Sequence, residues 1–242
     1  MQHYLNLAYL YPTLLNIYGD RGNVLTLLKR CEARQIELAI TSINIGDQID
    51  DPSKFDMYFI GGGQDQQQTL VAEELKKIAS SLITAIENNA VFLAVCGGYQ
   101  LLGKYYKTHE GLEIKGIDAL DLHTIAGSKR MIGNVLCTEI ESNFSIVGFE
   151  NHSGKTYLGD NLQPLAKVIR GFGNNGEDGF EGVRYKNVFG TYLHGSLLPK
   201  NPMLTDKLIE LACNKKGLSM QKIQVDNLLE EKAHEKAMKL KY

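Results

Sequence analysis

An α/β fold with a mostly parallel central sheet, helices on both of its faces and a β-rich C-terminal half is predicted by three observations. Strand-like and helix-like segments alternate through the first hundred residues. The run Val91–Val95, VFLAV, is continuously apolar, and beyond Tyr106 the chain breaks into short apolar runs interrupted by glycines. Alternation requires crossover connections, hence parallel strands covered on both faces, and a strand so covered has no polar side. With 242 residues, 43% hydrophobic and 22% charged, the chain can bury a full core. We read residues 1–202 as one domain and 203–242 as a helical extension packed on it.

Each element follows from local pattern. Residues 4–10 (YLNLAYL) read as the first strand, and Asp20 is placed to cap a helix over 21–33 whose Val24, Leu27, Leu28 and Cys31 share a face. ELAITSI (37–43) is the second strand, Asp50-Asp51-Pro52 a turn, FDMYFI (55–60) the third strand and GGG (61–63) a tight loop. Residues 66–88 form one long amphipathic helix, and the strand at 91–95 follows. RMIGNVLCTEI (130–140), SIVGFENH (145–152) and NVFGTYLHG (187–195) are expected to extend the same sheet and fold over its carboxyl edge. GFGNNGEDGFEG (171–182) is glycine-rich and polar, so an exposed loop is expected there. Helices are predicted at 203–214 and 225–241.

Composition excludes several roles. The 26 Lys and Arg against 28 Asp and Glu give a formal charge of −2, so no basic field points to nucleic acid or anionic lipid. Cys31, Cys96, Cys137 and Cys213 form no CxxC pair, which indicates neither a disulfide framework nor a metal site. No apolar run approaches the ~20 residues needed to cross a bilayer, and no signal segment leads the chain, so a cytoplasmic location is expected. Neither GxxxxGK[ST] nor GxGxxG after the first strand occurs, so no nucleotide site is evident.

Chemistry concentrates in Val91–Gly103, VFLAVCGGYQLLG. A strand runs into Cys96, and Gly97 and Gly98 open a helix behind it: the layout of a nucleophile elbow, where a sharp bend leaves little room for side chains. The helix start favours thiolate over thiol. A buried cysteine packed like alanine is the competing reading, and the glycine pair argues against it. Such a nucleophile needs a base that also protonates a leaving group. His194 ends the strand VFGTYL ahead of Gly195, which lets its ring emerge at a strand end, while His152 competes because Glu150 lies nearby to orient it. His3, His109 and His234 sit in polar or terminal surroundings, and His123 stays open. An oxyanion formed by attack on a carbonyl needs backbone N–H donors; Gly97 offers one, and Gly62 or Gly63 a second.

Beyond these residues, YGDRGN (18–23), FIGGGQD (59–65), VCGGYQLLGKYY (95–106), KRMIGN (129–134), GFENHSGKT (148–156), GNN (173–175) and YKNVFGTYLHGSLLPKN (185–201) resemble class I, triad-type glutamine amidotransferases. The resemblance lies in the branch that includes cobyric acid synthase glutaminase domains, and is closer still to the glutaminase subunits of lipid II isoglutaminyl synthases. It implies a flavodoxin-like architecture, with Cys96 as nucleophile, His194 as its partner, Arg130 gripping the glutamine α-carboxylate and Gln100 near the substrate. It implies further that this chain carries no cofactor or metal. ATP and Mg would belong to a Mur-ligase-like partner, MurT, which presents lipid II at the inner face of the membrane for amidation of D-glutamate to D-isoglutamine. The alternatives are ammonia supply to another acceptor, such as a corrin carboxylate, and a catalytically silent binding module. One departure stands out. Many relatives carry glutamate two residues after the histidine, whereas here the run is His194-Gly195-Ser196, so the group orienting the imidazole is open between Glu150, a backbone carbonyl or none. For Asp20 and Asn23 the reading is helix capping, with a place on the active-site rim as the alternative.

Overall fold

Five parallel strands and one antiparallel edge strand form the sheet that carries the site. The computed structural model describes residues 3–220, 223 and 225–241. In chain order come β1 (His3–Leu10), α1 (Arg21–Ala33), β2 (Ile36–Ile43), β3 (Met57–Ile60), α2 (Asp65–Lys77), α3 (Ala79–Glu87), β4 (Val91–Val95) and α4 (Gly97–Leu101). Much later, β11 (Val183–Tyr185) and β12 (Val188–Thr191) rejoin them, giving the order β11-β12-β4-β3-β1-β2. All five residues of β4 are buried, as the unbroken apolar run requires. Its Phe92 stacks on Tyr58 of β3 at 4.4 Å between ring centroids. Strand order reverses between β1 and β3, and in open α/β sheets ligands bind at the carboxyl ends of strands beside such a reversal.

Where the long helix over 66–88 was expected, the structure has two. Ile78 leaves helical geometry (φ −110°, ψ 10°) and turns inward at 2% exposure, resetting the apolar stripe so that Leu82, Ala85 and Ile86 of α3 also reach the core.

The C-terminal half also departs from expectation, because only β11 and β12 extend the first sheet. The rest builds a second sheet of β5 (Tyr105–Lys107), β6 (Glu113–Lys115), β7 (Leu122–Glu139), β8 (Ser145–Leu158), β9 (Ala166–Arg170) and β10 (Phe180–Glu181). β7 and β8 form a long antiparallel pair whose register shifts between Ala126 and Met131, and Arg130 sits in that irregular stretch. An isolated bridge between Phe149 and His194 stitches this pair to the segment after β12.

Residues 171–182 are not simply an exposed loop. Asn174, Asn175 and Glu181 are buried, and the asparagine side chains are met internally: Asn174 Oδ1 accepts from Gly182 N at 2.9 Å, and its Nδ2 donates to Gly182 O at 2.9 Å. Polar composition here reflects satisfied buried groups instead of solvation.

At the C-terminus, α5 (Pro202–Lys215) buries Leu204, Leu208, Ile209, Ala212 and Cys213 against the domain. The last helix, α6 (Leu228–Lys239), begins later than expected and has no fully buried residue among those described. Polar contacts hold it: His234 reaches Ser145 Oγ and Lys200 O, each at 2.7 Å.

Candidate active site

The elbow takes the strained form its glycines predict. Cys96 has φ +49° and ψ −108°, a region that L-residues rarely occupy, and its N–H is fixed to Thr191 O at 2.8 Å. A Cβ on Gly98 would lie 2.8 Å from the Gly61 carbonyl oxygen, so that position excludes larger residues, and one on Gly97 would lie 2.8 Å from the Gln68 side chain, which would have to shift. At 9% exposure, Cys96 opens onto a cavity of about 590 Å³ that Gly63, Gln100, Tyr106, Arg130 and His152 also line. Cys31, Cys137 and Cys213 are fully buried.

Of the competing histidines, the ring of His194 is the one set beside this cysteine. A Cβ on Gly62 would stand 2.9 Å from His194 Cε1 and 3.1 Å from Cys96 Cβ, so both residues lie against Gly62 and a side chain there would crowd them. His152 lines the cavity too, but its ring is stacked on Tyr192 at 3.6 Å and its Nδ1 is paired with Gly154 O at 2.7 Å.

The missing acid comes from the other end of the chain. Asp20 is fully buried and its side chain caps no helix; Oδ2 accepts the Gly62 N–H at 2.7 Å, and Oδ1 lies 3.7 Å from His194 Nδ1. The expected cap role falls partly to Asn16, whose Oδ1 accepts the Arg21 N–H at 2.8 Å. Ser196, two residues after the histidine, donates its hydroxyl to Gly19 O at 2.6 Å and so ties the histidine loop to the loop bearing Asp20. Gly22 must be bare for this approach, since its Cβ would fall 2.2 Å from Ser196 Oγ. Burial works to lower the His194 pKa, but the Cys96 sulfur and the Asp20 carboxylate overcome it and raise the value to about 10. The protonated imidazole is therefore favoured in this setting.

Two expectations are corrected. Glu150 does not orient His194: its oxygens accept the Phe172 N–H at 2.7 Å and the Gly173 N–H at 3.0 Å, and its histidine neighbour is His152, at 3.7 Å. The Gly62 N–H, expected to serve an oxyanion, instead donates to Asp20. Gly63 lines the cavity that Cys96 opens onto, and Gly97 is the first residue of α4. Arg130 is exposed on the cavity rim, its Nε bonded to Asn151 Oδ1. Gln100 is 3% exposed and donates to Tyr192 Oη at 3.0 Å. Among the described residues, no cluster of three or more His, Cys, Asp or Glu is arranged to hold a metal ion.

A cysteine on a strained elbow, an imidazole beside it and a buried carboxylate behind, on a sheet of this order, define an acyl-transfer site of the glutamine amidotransferase kind. The chain belongs to the CobB/CobQ-like glutamine amidotransferase domain family, which matches residues 6–202. Among individual proteins it is 42% identical over 231 residues to the lipid II isoglutaminyl synthase (glutamine-hydrolyzing) subunit GatD of Staphylococcus aureus, covering 96% of this chain and 93% of that one. The GatD subunit of Streptococcus pneumoniae is 38% identical, with 96% and 89% covered. A probable cobyric acid synthase of Methanococcus maripaludis is 37% identical over 155 residues, 60% of this chain and 30% of that protein. Among solved structures, PurLQS from Thermotoga maritima superposes with a TM-score of 0.59 at 18% identity, covering 88% of this chain and 99% of that one. The glutaminase domain of Trypanosoma brucei CTPS with bound acivicin gives 0.56 at 14% identity, covering 92% and 100%. These two likenesses show the shared class I glutamine amidotransferase fold.

Proposed function

We propose that this chain is the glutamine-hydrolysing subunit of a lipid II-amidating enzyme, in which Cys96 attacks the side-chain amide carbon of L-glutamine. The observation carrying this reading is the juxtaposition of Cys96, His194 and Asp20 around the Gly62 backbone. The thiolate sulfur forms a bond to the amide carbon, and the carbonyl electron pair moves to oxygen, where the N–H groups of Gly63 and Gly97 stabilise it. Collapse breaks the carbon–nitrogen bond as the imidazolium of His194 gives its proton to the leaving nitrogen, which departs as ammonia. Water then attacks the γ-glutamyl thioester, His194 takes its proton, and glutamate leaves with the thiolate restored. Asp20 holds the Nδ1–H side of the ring, fixing the tautomer and stabilising the imidazolium. Arg130 on the rim grips the substrate α-carboxylate, and Gln100 packs beside the substrate.

The ammonia acceptor lies on another chain. The likeness to GatD over nearly the whole length supports a Mur-ligase-like partner of the MurT kind, which holds ATP and Mg and activates D-glutamate in the lipid II stem peptide for conversion to D-isoglutamine. Among the described residues no helix is long and apolar enough to cross a membrane. In this reading, work on lipid II takes place at the inner membrane face, through the partner. Glutamate release from glutamine by wild type and Cys96→Ala, alone and with a Mur-ligase-like chain, tests the reading. Release that depends on Cys96 and rises with the partner supports it; unchanged release by the variant contradicts the mechanism, and release stimulated only by a corrin-amidating chain contradicts the acceptor.

A further inference from the structure

Where the two sheets meet, one buried acid has no part in the chemistry above. Glu181 on β10 is fully buried and paired across the strand with Ala166 of β9, so its backbone belongs to the second sheet. Its side chain crosses to the first. Oε1 accepts the Thr191 hydroxyl at 2.5 Å and the Tyr192 N–H at 2.9 Å, and the Thr191 hydroxyl in turn accepts the Leu193 N–H at 3.0 Å. Three consecutive residues are thus pinned by one carboxyl oxygen. They are the residues on which the site rests: Thr191 O holds the N–H of strained Cys96, Tyr192 holds Gln100, and His194 follows Leu193.

A strained elbow persists only when its surroundings over-determine it, and this clasp is one part of those surroundings contributed by the other sheet, beside the Phe149–His194 bridge. Its cost supports a function. Oε2 is buried with no hydrogen-bond partner among the described residues, a cost that calls for an explanation. Charge around it is mixed: Glu150 on β8 faces it unfavourably and His194 favourably, while Tyr99 of α4 and Cys137 of β7 sense its charge. Burial, with Glu150 adding to it, outweighs the hydrogen bonds from Thr191 and Tyr192 and pushes the carboxyl up to about 7.

We infer that Glu181 is a positioning residue for the nucleophile elbow and the catalytic histidine, clasping Thr191–Leu193 from the second sheet so that Cys96 and His194 stay in register. This rests on the assignment of Cys96 and His194 as the reacting pair. The test compares Glu181→Ala and Glu181→Gln in the full chain by three readouts: glutamine kinetics, alkylation of Cys96 by iodoacetamide, and thermal unfolding to confirm that the assayed protein is folded. The other three cysteines are fully buried, so alkylation of folded protein reports on Cys96.

A lost clasp should lower kcat and the alkylation rate together by roughly tenfold to a hundredfold with KM within about twofold, the scale expected for small displacements of reacting groups. Glu181→Gln keeps an acceptor oxygen for Thr191 and Tyr192 and should restore both rates to within about threefold at pH 6, while removing any inflection near pH 7 from the kcat profile. Folded Glu181→Ala with wild-type kcat and alkylation rate overturns the inference. If Glu181→Ala does not fold, a Glu181→Gln profile that retains an inflection near pH 7, or a kcat lowered tenfold or more at pH 6 with alkylation at the wild-type rate, overturns it instead. Failure of wild type to hydrolyse glutamine contradicts the proposed activity separately, because the alkylation comparison still reads the clasp.

Discussion

Asp20 shows what a single residue's surroundings can hide. In sequence it precedes a helix and looks like a cap, since capping is a local role that spacing can reveal. Its partners, Gly62 N and His194, come from distant parts of the chain, and no periodicity connects them. A usable signal was the bracketing by Gly19 and Gly22 together with Ser196 two residues after the histidine: glycine flanking an acid marks close backbone approach. Glu150 misled for the complementary reason. It is near His194 through the Phe149 bridge, but its carboxylate turns toward the loop at Phe172 and Gly173. The raised pKa of His194 has a consequence for stability. The folded state holds this proton more tightly than the unfolded chain, so the stabilisation is complete below the ordinary value of 6.5 and is lost as pH rises through about 10. Thermal unfolding of wild type and His194→Gln should therefore show the largest deficit for the variant near pH 6 and a narrowing gap toward pH 10.

Between elements, the site depends on loops drawn together by small contacts. The elbow strand and its glycines were legible because the bend has a fixed steric demand, whereas the contact between the histidine loop and the start of α1 was not, because a serine hydroxyl bonding a carbonyl leaves no sequence pattern. That contact is testable through Gly22. Adding a methyl group in Gly22→Ala brings its Cβ against both Oγ and Cβ of Ser196, so overpacking of about 1–3 kcal/mol is expected in urea unfolding. Ser196→Gly in the same chain should recover most of that loss, since it removes both clashing atoms and relieves a positive φ of 48°.

At the scale of the whole molecule, the first half was readable because each strand and helix is specified by its own pattern and parallel order follows from alternation. The second half was not, because a strand's pattern does not say which sheet it joins: β12 pairs with the distant β4, whereas β7, β8 and β9 pair among themselves in a second sheet. The buried stretch at 173–175 escaped notice for a related reason: asparagines whose amides are met by backbone and side chains inside the fold have the composition of asparagines in water. Coupling to a partner is also a property at this scale. In a complex with the ligase chain, Cys96→Ala should abolish glutamine-dependent amidation yet leave amidation supported by added ammonium salts, as followed by mass analysis of the acceptor; loss of both would mean that Cys96 serves assembly instead of ammonia release.

The assignment of Asp20 as the group that orients His194 is tested most directly by glutamine turnover in Asp20→Asn, which keeps an acceptor for Gly62 N–H while removing the charge. An imidazole oriented by this carboxylate requires kcat to fall by roughly 10²–10⁴-fold with KM little changed, the behaviour of a triad that loses its acid. Turnover within about twofold of wild type in the folded variant would contradict it, and would leave Cys96 and His194 working as a pair without a third member.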